Sequence, residues 1–287
     1  MSAELGCFMI TANSSLDSQI GVRHSTIREI GLADLWTVLA KGFDDFRAMP
    51  THSIFVILIY PVMGLILLRL SFGYDVLPVV FPLLAGFALL GPFTAIGLYE
   101  MSRRRELGLS TSWEALNVFS LLRIWPIAVL GIVLMVIFLA WLIAAMTIYQ
   151  STLGDWYPSS FSEFIDRIFM TSAGWTLIIV GCGVGFLFAL VTFAISVISF
   201  PMLVDRDVSA GVAVATSIRA VAANPVTMAV WGLIVVAGLV LGSLPLLVGL
   251  AVVLPVLGHS TWHLYRRLVP RDQEAMEQLR PEAMQGT

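Results

Sequence analysis

The chain has 287 residues, of which 58% are hydrophobic and 12% charged, and its formal net charge is −3. Soluble domains carry about a quarter charged residues, so this composition excludes an ordinary soluble fold, and the absence of a basic surplus excludes nucleic acid as a partner. Two cysteines, Cys7 and Cys182, exclude a disulfide framework.

Residues 1–33 are mixed and polar and read as a cytoplasmic tail. MSAELGCFMI lacks the basic start of a signal peptide, and no apolar stretch precedes the lipoprotein-like Leu5-Gly6-Cys7. Asp34 reads as the N-cap of LWTVLAKGFDDFR. There Leu35, Leu39, Phe43 and Phe46 share one face at helical spacing, which predicts a helix lying flat in the membrane interface. Pro50 ends it.

A first span is expected over 53–70, closed by Arg69, whose flexible stem lets its charge reach the headgroups. SFGYD is a turn, and a second span runs from 76 to 99. Pro82 and Pro92 each remove an internal hydrogen bond there, so this helix is expected to be kinked. The span opens into GPFTAIGLYEMSRRRE, where Arg103, Arg104 and Arg105 mark a cytoplasmic loop and offer cations to lipid headgroups.

A second amphipathic segment follows, with Trp113, Leu116, Phe119 and Leu122 on one face. Trp125 to Tyr149 is a third span without a charge. Tyr149, Trp156 and Tyr157 form an aromatic belt on the far side. A third amphipathic helix places Phe161, Phe164, Ile165, Ile168 and Phe169 in register. The fourth span runs from Trp175 to Phe200 and stops at Pro201.

Residues 202–224 read as a loop holding a weaker interfacial helix through Val214, Ile218 and Val221. From Ala220 to Tyr265 there is no Asp, Glu, Lys or Arg. Gly242-Ser243-Leu244-Pro245 divides that run into two spans, 226–241 and 246–265. Amphipathic helix, break and span recur at unequal spacing, with breaks near Pro50, Trp125-Pro126, Gly174-Trp175 and Pro225. The fold class is therefore all-α: one domain, 34–268, with six transmembrane helices and three or four interfacial helices, followed by a cytoplasmic tail, 269–287. With the N-terminus inside, 14 of the 16 basic residues fall on the cytoplasmic side, as the positive-inside rule demands.

Candidate chemistry is sparse. His259 and His263 lie one turn apart near the inner end of the last span, a spacing that supplies two metal ligands from one face. Glu100 lies at matching depth on the second span, so Glu100, His259 and His263 form a candidate metal set. The plainer reading is that these groups hydrogen-bond helix ends together. Gly181-Cys182-Gly183-Val184-Gly185 has the look of a dinucleotide fingerprint, but no strand precedes it. The Gly181/Gly185 and Gly238/Gly242 pairs read instead as close helix contacts. Span interiors hold no ionisable residue, which argues against a proton-coupled path.

At GPFTAIGLYEMSRRRE and LPVLGHSTWHLYRRLV the chain resembles the domain of unknown function 2189 family of predicted bacterial integral membrane proteins. The likeness takes in LWTVLAKGFDDFRAMP and extends over about residues 34–270. It implies a bacterial inner-membrane location. The family carries no established activity, so it transfers no catalytic residue.

The leading expectation is a non-enzymatic structural, accessory or assembly protein, in contact with the lipid bilayer and other membrane proteins and without a cofactor. A transporter or channel for a small solute is the alternative, and a metal-binding membrane protein is third. Oligomeric state and cargo are not legible in the residues.

Overall fold

A computed structural model describes residues 26–49, 82–83, 91–111, 121–245 and 248–271. The expected first span, most of the second, the amphipathic segment from Trp113 and both outer tails lie outside these residues. Among the described residues the structure is all-α, without strands.

The opening helix, α1, is Leu32–Ala48. Its N-cap is Gly31, and Asp34 sits at N3, where its carboxylate accepts the Gly31 N–H at 3.0 Å. Asp34 thus stabilises the helix start from inside the first turn, three residues beyond the actual cap, rather than as the cap itself. The buried side also differs from expectation: it is Leu35, Val38, Gly42 and Asp45, while Phe43 is exposed and Leu39 and Phe46 are only partly covered. The reason is a partner helix, Leu250–Leu268, which takes the side bearing the small Gly42. A stripe through Leu32, Trp36 and Phe43 remains exposed.

Pro92 lies in the single turn α2, Gly91–Thr94, and the chain breaks at Ala95 before α3, Ile96–Glu106. Gly108 at φ 68 stops α3, and Leu109 N–H reaches back to the Arg104 carbonyl, a turn that favours glycine. Helix α4, Leu121–Leu153, runs through Pro126 without the expected break. Trp141 Nε1 donates to the Pro82 carbonyl at 2.9 Å, tying α4 to the second-span region.

Helix α5, Phe161–Met170, is capped by Ser160, and Thr171 caps α6, Ser172–Ser196. The apolar positions of α5 divide between two surroundings. Phe164 and Ile168 pack with Tyr149, Leu153 and Leu177, whereas Phe161, Phe169 and Met170 are exposed. The fourth span does not stop at Pro201. The chain turns at 197–198 and resumes as α7, Ser199–Asp205, with Pro201 in its first turn, where a missing N–H costs nothing.

Helix α8, Ala210–Ala223, forms in the expected loop region and packs one side into the fold. Its small side (Ala213, Thr216, Ser217, Ala220) is buried, and Ile218 is exposed. Ser217 Oγ accepts the Ile198 N–H at 3.2 Å, closing the turn between α6 and α7. Helices α9, Pro225–Ser243, and α10, Leu250–Leu268, form the expected hairpin. Gly238 and Gly242 lie against Val253, Leu257 and Leu250 of α10, and Gly185 lies against Trp141. Gly181 meets open space, so only one end of that expected glycine pair makes a contact.

Among the described residues three stretches are long and apolar enough to cross a membrane: Ile124–Leu153, Ser172–Asp205 and Pro225–Ser243. The expected sixth span, α10, is not among them. Its second half is polar yet deeply buried: His259, Ser260, Trp262, Leu264, Tyr265 and Leu268 are fully buried. The main core gathers where α1, α3, α7 and α10 converge.

Candidate functional site

The polar groups of this convergence form two adjoining clusters. The first is centred on Asp45 of α1. Ser102 Oγ of α3 donates to Asp45 Oδ2 at 2.6 Å, and His263 Nε2 of α10 lies 2.9 Å from the same oxygen. An ionised carboxylate only accepts, so Nε2 carries the hydrogen. Arg105 engages Oδ1. Ser102 Oγ also lies 2.7 Å from His259 Nδ1, so one hydroxyl bridges carboxylate and imidazole.

Asp45 is 3% exposed. Burial pushes its carboxyl up, but hydrogen bonds from His263, Ser102 and Arg105, together with the charge of His263, outweigh burial. They hold Asp45 below the ordinary carboxylate range. Gly42 makes this approach possible, because it lets α1 lie directly against Ser260 of α10.

The second cluster surrounds Glu106 and Asp205. Glu106 accepts from Trp262 Nε1 at 3.0 Å and Arg266 Nε at 3.1 Å, and pairs with Arg271 at 3.1 Å. Asp205 accepts from the Tyr265 hydroxyl at 2.8 Å. Arg103 and Arg266 approach it at 3.7 and 3.6 Å.

The arginine-bearing ends of α3 and α10 do meet, through different acids from the one expected. Glu100 takes Arg104 at 3.0 Å and Arg103 at 3.4 Å, both on its own helix. The acid that His263 meets is Asp45, and His259 meets α3 at Ser102 and at the Leu98 backbone. Among the described residues no group of three or more His, Cys, Asp or Glu is placed to hold a metal ion. Of the arginine triplet, Arg103 and Arg104 pair with Glu100, and Arg105 pairs with Asp45.

Asp45, Ser102, Glu106 and Asp205 were not legible as site residues. The available signal was weak: Gly42 and Asp45 are three apart and share a side with Leu35 and Val38, so an acid travels with the packing side. At the other end of α4 and α5, Trp156, Glu163, Asp166, Arg167, Met170 and Thr171 line an open groove, with Arg167 stacked over Trp156 at 5.4 Å.

Residues 80–205 match the family DUF2189, described as a predicted integral membrane protein. The matched stretch is narrower than the 34–270 likeness, and it contains GPFTAIGLYEMSRRRE but not LPVLGHSTWHLYRRLV. Ser102, Arg105, Glu106 and Asp205 come from the DUF2189 stretch, whereas Asp45, His259, His263 and Arg266 lie outside it. The clusters therefore join the matched part of the chain to both flanks. Comparison with curated proteins and with solved structures finds no match. The DUF2189 match and the three apolar stretches agree that this is an integral membrane protein.

Proposed function

We propose that the protein is a non-enzymatic structural, accessory or assembly component of the bacterial inner membrane. In this reading it crosses the membrane six times, with both termini on the cytoplasmic side. The supporting observation is how the Asp45 cluster uses its polar groups. A carboxylate, a hydroxyl, two imidazoles and a guanidinium bond to one another and hold α1, α3 and α10 together.

Groups engaged in this way act as a fastening, since a catalytic acid or base must reach a substrate proton. The long stretches 124–153, 172–205 and 225–243 leave most of their apolar surface uncovered. Lipid covers such surface, and so does a neighbouring membrane protein. The cytoplasmic placement of the termini is supported by the distribution of the basic residues.

The reading is tested by photo-crosslinking in cells from Val236, which is 57% exposed on α9. The expected result is a discrete adduct of fixed mass with another membrane protein, weakened when Asp45→Asn loosens the fastening. Saturable, protein-dependent solute flux in proteoliposomes would instead establish the transporter alternative. Metal analysis of the purified protein against a His259→Ala, His263→Ala variant tests the Glu100, His259, His263 metal set. Stoichiometric metal lost in that variant would replace the fastening reading. For topology, cysteines placed at 110 and 155 in a variant lacking Cys7 and Cys182 are expected to react with impermeant maleimide from the inside and the outside respectively.

A further inference from the structure

The groove beside α5 is built on a fixed base. Gly154, at φ 68, turns the chain out of α4, and the Tyr149 hydroxyl donates to the Trp156 carbonyl at 2.8 Å. The Trp156 ring packs with Tyr149, Leu153 and Ile168. Gly174 fastens the other wall. A Cβ there would fall 2.1 Å from the Ile168 carbonyl oxygen and 2.6 Å from that of Arg167, so α6 starts directly against the end of α5.

The charges on this base are left for a ligand. Glu163 lies one turn before Arg167, the spacing of a helical ion pair, but its carboxylate turns back to accept from the Ser159 hydroxyl and backbone N–H. Those bonds hold the Glu163 carboxyl below the ordinary range, so it stays ionised. Arg167 instead lays its guanidinium over the Trp156 ring at 5.4 Å. Stacking occupies the face of the guanidinium and leaves its N–H edge available. Among the described residues, no acceptor takes that edge and no donor takes the Asp166 carboxylate, and both side chains are exposed.

The groove that joins Arg167, Asp166 and Glu163 measures about 310 Å³, the small end of the range for small-molecule sites. Its position identifies the source of the ligand. The apolar stretches Ile124–Leu153 and Ser172–Asp205 both end beside it, and Phe169, Met170 and Trp175 are exposed around it. Aromatic side chains at the ends of spans mark the headgroup layer.

We propose that this groove binds the headgroup of one zwitterionic phospholipid bearing a primary ammonium, with the phosphate on the Arg167 edge and the ammonium on Asp166 and Glu163. An arginine fork suits phosphate. The carboxylates accept N–H bonds, which a quaternary ammonium lacks, and Arg167 already lies over the ring that would otherwise attract one. An anionic headgroup without a cation leaves both carboxylates facing it. The proposal rests on the membrane-spanning reading of these two stretches and is independent of the accessory role.

The test uses the full chain, delipidated in detergent, and native mass spectrometry with phosphatidylethanolamine, phosphatidylcholine, phosphatidylglycerol or free phosphoethanolamine as the probe. Phosphatidylethanolamine is expected to bind about fivefold more tightly than either other lipid, the scale of one exposed charged contact. Asp166→Asn should remove most of that preference. Arg167→Gln should weaken phosphatidylethanolamine and phosphatidylcholine alike, and Asp44→Asn, on the exposed side of α1, should change neither. Equal binding of the three lipids, or a preference unchanged in Asp166→Asn, overturns the proposal. Displacement of the lipid by an equal concentration of free phosphoethanolamine also overturns it, assigning the groove to a soluble zwitterion. Photo-crosslinking in cells from Met170 is expected to give lipid adducts, and a discrete protein adduct from that position would assign the groove to a protein partner instead. None of these results bears on photo-crosslinking from Val236, so the two readings fail separately.

Discussion

Gly42 and Ser260 touch backbone to backbone. A Cβ added at Gly42 would fall 2.0 Å from Ser260 Oγ, 2.6 Å from its nitrogen and 2.8 Å from its Cα. Gly42→Ala is therefore expected to force α1 off α10 and lower the thermal stability of the detergent-solubilised protein. Overpacking costs about 1–3 kcal/mol, which exceeds the gain of about 1 kcal/mol from alanine's helix propensity. Ser260→Gly should not rescue it, because the backbone atoms also clash. Gly211→Ala, where α8 faces open space, is expected to stabilise by up to about 1 kcal/mol. Melting curves of Gly42→Ala, of the Gly42→Ala, Ser260→Gly double variant and of Gly211→Ala check both signs.

Asp45→Asn is expected to cost about 3 kcal/mol near neutral pH, because it removes the charge that His263 and Arg105 face. The folded pKa of Asp45 is depressed. Its stabilisation is thus fully present above the unfolded value, about 3.9, and is lost as pH falls through the lower folded value. The melting-temperature gap between wild type and Asp45→Asn should be wide at pH 7 and narrow below pH 4. A gap that widened on acidification would show that Asp45 is not held as the anion.

Asn224 clasps the chain that leads into α1. Its Oδ1 accepts the Ile30 N–H at 2.8 Å and its Nδ2 donates to the Arg28 carbonyl at 3.2 Å, while Thr227 Oγ1 reaches the Ile30 carbonyl at 2.9 Å. Asn224→Ala removes two of these bonds, at about 1 kcal/mol each. Hydrogen exchange at Ile30 should accelerate at least tenfold, with exchange in α4 unchanged.

The two sides of α5 are expected to respond differently to charge. Ile168→Asp buries a carboxylate among Tyr149, Leu153 and Phe164 and should destabilise the fold by at least about 3 kcal/mol. Phe169→Asp falls on the exposed side. It should leave the stability within about 0.5 kcal/mol of wild type but increase protease access to residues 155–172 in liposomes. Equal behaviour of the two variants would remove the distinction between packed and lipid-facing sides.

Apolar runs and turn residues carried the legible part of the fold. The α9–α10 hairpin followed from Gly242-Ser243-Leu244-Pro245, and α4 from its charge-free length. The buried side of α1 was not legible, because hydrophobic periodicity gives weight to Phe43 and none to Gly42 or Asp45. In the fold the contact is decided by closeness of backbones and by a carboxylate with three partners. Glu100 and Asp45 illustrate the same limit at the site. Depth along the spans placed Glu100 level with the histidines, yet arginines three and four residues away on its own helix claim it. The acid that reaches His263 arrives from a helix 218 residues earlier, a pairing that no local spacing encodes.

That separation sets an order of events. Helix α1 leaves the ribosome long before α10 is made, about 10–40 s at a synthesis rate of about 5–20 residues per second. Throughout that interval Gly42 lacks Ser260, and the Asp45 carboxylate has only its α3 partners, Ser102 and Arg105, to meet. The contact closes only when α10 arrives, bringing Ser260 onto Gly42 and His263 onto Asp45. A chain truncated before α10 therefore carries its defect at the N-terminal end, as an open edge displayed far from the lesion.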